Sequence, residues 1–151
     1  MAKSSINILK NCAGFSHNDR SEKKQPEYFL PVEFRKENEF DRNGIEAQKL
    51  LDSYIKEAKE NYKKETGQKF QGRVLNFEAV VNLNQNHTME DLKKLNENIE
   101  KEFGFRAVQT AIHRDEGHIK DGRPIYNYHA HIVFDWMNYD TGKVANSTMM
   151  I

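Results

Sequence analysis

The sequence predicts an α+β domain: an antiparallel or mixed sheet with helices packed on one face, in a ferredoxin-like arrangement. Three observations lead there. The elements run strand, helix, strand, helix, strand, strand. Residues 73–83, "RVLNFEAVVNL", alternate between two faces as a half-buried strand does. No helix separates the last two strands, which argues against a doubly wound sheet and for a split βαβ unit.

Each element has its own signal. "SSINILKN" (4–11) is a short apolar run fit for a first strand, and residues 12–42 read as irregular, broken by Gly14, Pro26 and Pro31. From Ile45 to Tyr62 the residues Ala47, Leu51, Tyr54, Ile55, Ala58 and Tyr62 keep helical spacing, with Gly67 as the stop. In the strand that follows, Leu75, Phe77, Ala79, Val81 and Leu83 share one face; Asn76, Glu78, Val80 and Asn82 share the other. Thr88 and Asp91 form a capping-box pattern ahead of Met89, Leu92, Leu95, Ile99 and Phe103, and Gly104 ends that helix. "RAVQTAIH" and "NYHAHIVFDW" are strands joined by a loop with Gly117, Gly122 and Pro124; "NYDTGK" (138–143) reads as a turn.

The chain of 151 residues is read as one domain, 1–151, truncated from a longer protein. With 37% hydrophobic and 30% charged residues it suits a soluble protein. It has no apolar run near the roughly 20 residues of a membrane span. Its start, "MAKSSINILKNC", lacks a secretory pattern, and a single cysteine, Cys12, excludes an internal disulfide. The expected location is cytoplasmic, with no membrane partner. Lys plus Arg and Asp plus Glu are 23 each, so nucleic acid would have to be met by a local groove or a metal ion, not by bulk charge.

The chemistry concentrates in "AIHRDEGHIKDGRPIYNYHAHIVFDW" (111–136). On a strand, His129 and His131 point the same way, while Ala130, Ile132, Phe134 and Trp136 point the other. On the preceding strand, Val108, Thr110 and Ile112 are assigned to the helix side; Ala107, Gln109, Ala111 and His113 are assigned to the histidine side. A hairpin pairing then converges His113, His129 and His131 on the uncovered face. Three neutral imidazoles suit a divalent transition ion such as Zn, Mn, Co or Ni acting as a Lewis acid. Asp115 or Glu116 is placed to add a ligand or to orient an imidazole, and Glu78 lines the same face one strand away. An H-x-H pair alone is more often incidental, and Glu78 is as readily a solvent-facing residue. His118 and His87 read as surface residues.

The motifs "GFSHNDR" (14–20), "HRDE" (113–116) and "HAH" (129–131) resemble those of the MobV (Pre/Mob) plasmid mobilisation relaxases, whose N-terminal domains are HUH endonucleases. The first is similar to that family's H-x-x-R; the others are similar to its H-x-D-E followed by H-x-H. The likeness runs from about residue 12 to 148. Two features depart from the family pattern: residues 117–128 separate the two blocks, with Tyr128 where the family has Pro, and "EYFL" (27–30) only echoes another family motif.

The resemblance implies a strand-specific nickase that cuts origin-of-transfer DNA and keeps the 5′ phosphate as a covalent adduct, with Mn2+ or Mg2+ as cofactor. It implies His17 as the nucleophile, Arg20 as a phosphate clamp, and His113, His129 and His131 as metal ligands. Glu116 is assigned to hold the His17 ring in its reactive tautomer. The DNA path is assigned to Arg20, Lys23, Lys24, Arg35 and Lys36, with the aromatic Tyr28 and Phe34 interleaved. The partner is single-stranded or supercoiled plasmid DNA at the transfer origin, and any homodimer is expected to form through a missing C-terminal region. Two rivals stand beside this reading: a rolling-circle replication initiator using a tyrosine, first Tyr28, and a non-catalytic DNA-binding module with a structural metal.

Overall fold

The computed structural model describes residues 5–9, 14–22, 27–71 and 76–137. Lys23, Lys24, Cys12, Leu75 and the turn expected at 138–143 lie outside the described residues. The chain order is β1 (Ile6–Leu9), a one-turn helix α1 (Phe15–Asn18), a 3-10 turn (Val32–Phe34), β2 (Glu39–Phe40) and α2 (Gly44–Thr66). It continues with β3 (Asn76–Asn82), α3 (Met89–Phe103), β4 (Arg106–His113), β5 (Gly117–Lys120), β6 (Arg123–Tyr126) and β7 (His129–Asp135).

Five strands form one antiparallel sheet in the order β1-β3-β7-β4-β2, and β5 with β6 forms a separate hairpin. Both β3 and β4 run antiparallel to β7, which lies between them, so β3-α3-β4 is the split βαβ unit that the element order predicts. Both long helices start and stop on local chemistry. Asn43 accepts from the Glu46 amide at 2.9 Å and Glu46 reaches back to the Asn43 amide; Thr88 and Asp91 do the same for α3. Gly67 (φ 71°) and Gly104 (φ 81°) take the left-handed conformation that ends them.

The α+β class and the antiparallel sheet are as the sequence predicts, but the helices do not share one face. Phe77, Ala79, Val81, Ile112, Ala130, Ile132 and Phe134 pack with Leu92 and Ile99 of α3 alone. The α2 residue Leu51, flanked by Leu50, Tyr54 and Ile55, packs against Val108 and Val133 on the opposite face. Val133 shares its face with His129 and His131, so α2 closes one end of the histidine side.

A bulge in β4 explains why Val108 lies there. Ala107 pairs with Phe134 and Gln109 with Val133, so one extra residue, Val108, is inserted between them. Such an insertion exchanges the two faces for residues before it. Ala107 therefore joins the α3 core and Val108 the α2 side, the reverse of what strict alternation assigns to both. The stretch read as irregular also holds structure. Glu39 and Phe40 pair with β4, and residues 28–36 bond the chain just after it: Leu30 is fully buried, and its amide donates to the Asp115 carbonyl at 2.9 Å.

Candidate metal and nucleic-acid site

The β4–β7 register places His113 opposite His129 and Ala111 opposite His131, so the strand pairing itself brings three imidazoles together. Their ring centroids lie 4.8 Å (His113–His131), 5.0 Å (His129–His131) and 5.3 Å (His113–His129) apart. The small Ala111 leaves room beside His131. A fourth ring comes from α1: His17 stands 5.3 Å from His131 and 5.6 Å from His113. The short α1 is tied down by two contacts. Asn18 Nδ2 donates to Gln109 Oε1 at 3.0 Å, and Asp19 accepts from the Gly44 amide at 2.5 Å, at the start of α2.

Each sheet histidine gives one N–H to an oxygen that can only accept. His113 Nε2 donates to the Asn18 carbonyl at 2.8 Å and His129 Nδ1 to the Asn127 carbonyl at 2.9 Å. His131 Nδ1 lies 2.6 Å from Glu78 Oε1, with Glu78 fully buried. In neutral rings, His113 Nδ1, His129 Nε2 and His131 Nε2 are then lone pairs. His113 Nδ1 is buried with no hydrogen-bond partner. It faces Glu116 Oε2 at 3.3 Å, and His129 Nε2 faces the same oxygen at 3.1 Å. Acceptors turned on one another in a buried place require a proton or a cation between them. The donor set therefore fits a divalent ion held through imidazole and carboxylate. Ligand atoms lie within 4.8 Å of one another in two overlapping groups, His113–Glu116–His129 and His17–His113–His131.

The electrostatics follow from burial and partners. Burial works against charge on Glu116, yet the His113 and His129 imidazoles facing it and the Arg20 guanidinium bonded to it outweigh that and hold the carboxyl well below the usual range. Burial pulls His131 below an ordinary imidazole despite Glu78 at its side. Burial would lower His129 too, but the Glu116 carboxylate more than offsets that and raises it.

The carboxylate beside His17 is Glu22, at 2.8 Å from Nδ1, not Glu116. Arg20 lies in the site at φ 63°, a conformation few non-glycine residues adopt. It is fixed there by Asp115 (2.8 and 3.2 Å) and Glu116 (2.6 Å), while its Nη1 is buried without a partner. Asp115 is occupied by Arg20 and by Asn38 Nδ2 (2.7 Å), not by an imidazole. Among the residues assigned to DNA, Tyr28 is exposed, and Arg35 donates to the Leu30 carbonyl and sits over the Phe29 ring. Lys36 reaches the Tyr128 hydroxyl at 2.7 Å and lies over the Tyr126 ring. Burial first, and then the Glu116 charge, raise the Tyr28 phenol.

Sequence reasoning passed over Glu22, Asn18, Asn38 and Asn127, and it put Gln109 on the histidine side without giving it a role. The short spacing from His17 to Glu22 was visible, but it becomes a contact only because the turn after α1 folds back; the Glu22 amide donates to the Ser16 carbonyl. The others act through a backbone carbonyl or across the sheet, which leaves no sequence pattern.

No family model matches the sequence, and no curated protein matches it. Among solved structures, two of the MobM relaxase domain (MOBV; Mob_Pre), each Mn-bound and carrying plasmid pMV158 oriT DNA, are similar to this chain. They match at TM-scores of 0.62 and 0.63 and 17% identity, over 98% of this chain and 76% and 77% of theirs. At that identity the likeness is one of fold. The chain folds as a MobV-type relaxase domain does.

Proposed function

We propose that this protein is a divalent-metal-dependent relaxase that nicks one strand of plasmid DNA at a transfer origin and holds the 5′ phosphate covalently on His17. One observation carries the reading: four imidazoles and Glu116 meet in two overlapping ligand groups that share His113, whose buried Nδ1 lacks any hydrogen-bond partner. The relaxase fold supports it. His113, His129 and His131 hold the ion, with Glu116 adjoining and Glu78 orienting His131. Nitrogen donors favour Mn2+ over Mg2+, which prefers oxygen. When bound, the ion supplies charge neutralisation at the scissile phosphate.

The remaining chemistry belongs to the side chains. Glu22 takes the Nδ1–H of His17, which leaves the Nε2 lone pair free. That lone pair forms the N–P bond as the P–O3′ bond breaks, and the electron pair leaves on O3′, which collects a proton from solvent. Asp115 and Asn38 set Arg20, whose free Nη1 is the atom left to meet a phosphate oxygen. Tyr28, Arg35, Lys23 and Lys24 belong to the segment that carries the DNA strand towards His17.

The test is nicking of supercoiled plasmid carrying the cognate origin. Cleavage absent in chelator, restored by Mn2+ and leaving an acid-labile DNA–protein adduct supports the reading. Cleavage indifferent to chelator, or an acid-stable adduct on Tyr28, refutes it.

A further inference from the structure

The nicking chemistry leaves unused a cleft of about 760 Å3 that opens from Glu116, between the chain around Tyr28 and the β5–β6 hairpin. Its aromatic walls are set in advance. The Tyr126 ring is stacked on Tyr128 at 5.1 Å, nearly parallel, and its hydroxyl donates to the Phe34 carbonyl at 2.9 Å. The Tyr28 backbone carbonyl accepts from the Gly117 amide at 3.1 Å, and 47% of the residue remains exposed. Gly117, between these walls, can carry no side chain: at φ 153° a Cβ would come within 2.1 Å of the Ile125 carbonyl oxygen. The hairpin backbone dictates the bare Gly117, and it leaves Tyr28 and Tyr126 as the aromatic side chains lining the cleft, the surface an unstacked base can stack on.

The charge selects which part of a nucleotide fits. Glu27 and Glu116 line the cleft together with His118, and its lining contains no Lys or Arg among the described residues. Carboxylates repel a phosphate and accept hydrogen bonds from exocyclic amines. We propose that this cleft takes one unpaired, amino-bearing nucleobase of the DNA strand that meets the histidine cluster, with the phosphates kept outside. The inference rests on the DNA reading above and adds a base preference to it: cytosine or adenine over thymine.

Fluorescence anisotropy with labelled homopolymeric hexanucleotides of dC, dA and dT tests it on the whole chain. The wild type should bind the dC oligomer more tightly than the dT oligomer, two pyrimidines that differ at the amino position. Tyr28→Ala should weaken binding of the dC and dA oligomers about tenfold, while Tyr28→Phe keeps wild-type affinity. Glu27→Gln should narrow the gap between dC and dT. If dT binds as tightly as dC, or Tyr28→Ala binds like the wild type, the cleft assignment falls and the DNA reading stands. If the wild type binds none of the three, both fall.

Discussion

Strand β7 buries all seven of its residues, yet its two faces are built on different physics. Ala130, Ile132 and Phe134 enter a core with Phe77, Leu92 and Ile99, where any apolar group of similar volume would serve. His129, His131 and Asp135 are buried among partners that must match them atom for atom: the Asn127 carbonyl, Glu78 and Arg106. Burial therefore does not separate structure from chemistry in this molecule. Partner geometry does. The α3 face should respond to mutation by losing stability, and the histidine face by losing function.

His17→Ala breaks the comparison at its functional extreme. It should cut adduct formation on the order of 10³-fold or more, read as covalent DNA–protein complex on denaturing gels, while Mn2+ binding and the thermal transition stay near wild type. The opposite extreme is Phe134→Ala, stacked on Phe77 at 5.1 Å. About 3–5 kcal/mol should be lost in urea unfolding, and the metal affinity of the folded fraction should hold. An unchanged unfolding midpoint would mean the two faces have been misassigned.

Gln109 lies between these limits. It is fully buried and bonds Asn18, the Arg42 carbonyl and, more weakly, the Phe15 carbonyl, so it ties α1 to the sheet. Gln109→Leu should cost roughly 1–3 kcal/mol and also lower nicking, because His17 rides on α1. A stability loss with full nicking would separate α1 placement from catalysis.

The smallest effect is expected at Asp19. Burial pushes its carboxyl up, but bonds from Ser21 and from the Gly44 amide outweigh that and hold it below the usual range. A lowered folded-state pKa stabilises the fold above the unfolded value near pH 4 and ceases to do so as pH falls through the folded value. Asp19→Asn should thus be less stable by roughly 0.5–1 kcal/mol at pH 6, and the gap should shrink as pH falls below the unfolded value near 4, by chemical denaturation across that range. A gap that stays constant as pH falls through the acid range would contradict the assignment.

Much of this was legible in the residues. The alternation in "NFEAVVN" and "HAHIVFD" fixes which side chains share a face, and the caps at Thr88 and Gly104 bound α3, because each signal is local. The side on which α2 lies was not legible: a stripe at Leu51, Tyr54 and Ile55 needs an apolar surface but does not say which. That surface is completed on the histidine side because the β4 bulge turns Val108 there beside Val133, and bulges leave no mark in an alternating run. The β5–β6 hairpin and the two-residue β2 were hidden for a related reason: both are too short for periodicity. For the site, the convergence of His113, His129 and His131 followed from the pleat, and His17 from a motif. Glu22 in place of Glu116 beside His17 depended on a chain reversal that only tertiary structure reveals.

The most direct measurement is an anomalous-scattering map at the manganese edge from crystals of the whole chain grown with Mn2+. The account predicts one strong peak within coordination distance of His113 Nδ1, His129 Nε2 and His131 Nε2. No peak at these rings, or a peak elsewhere with Glu116 still between His113 and His129, would contradict it.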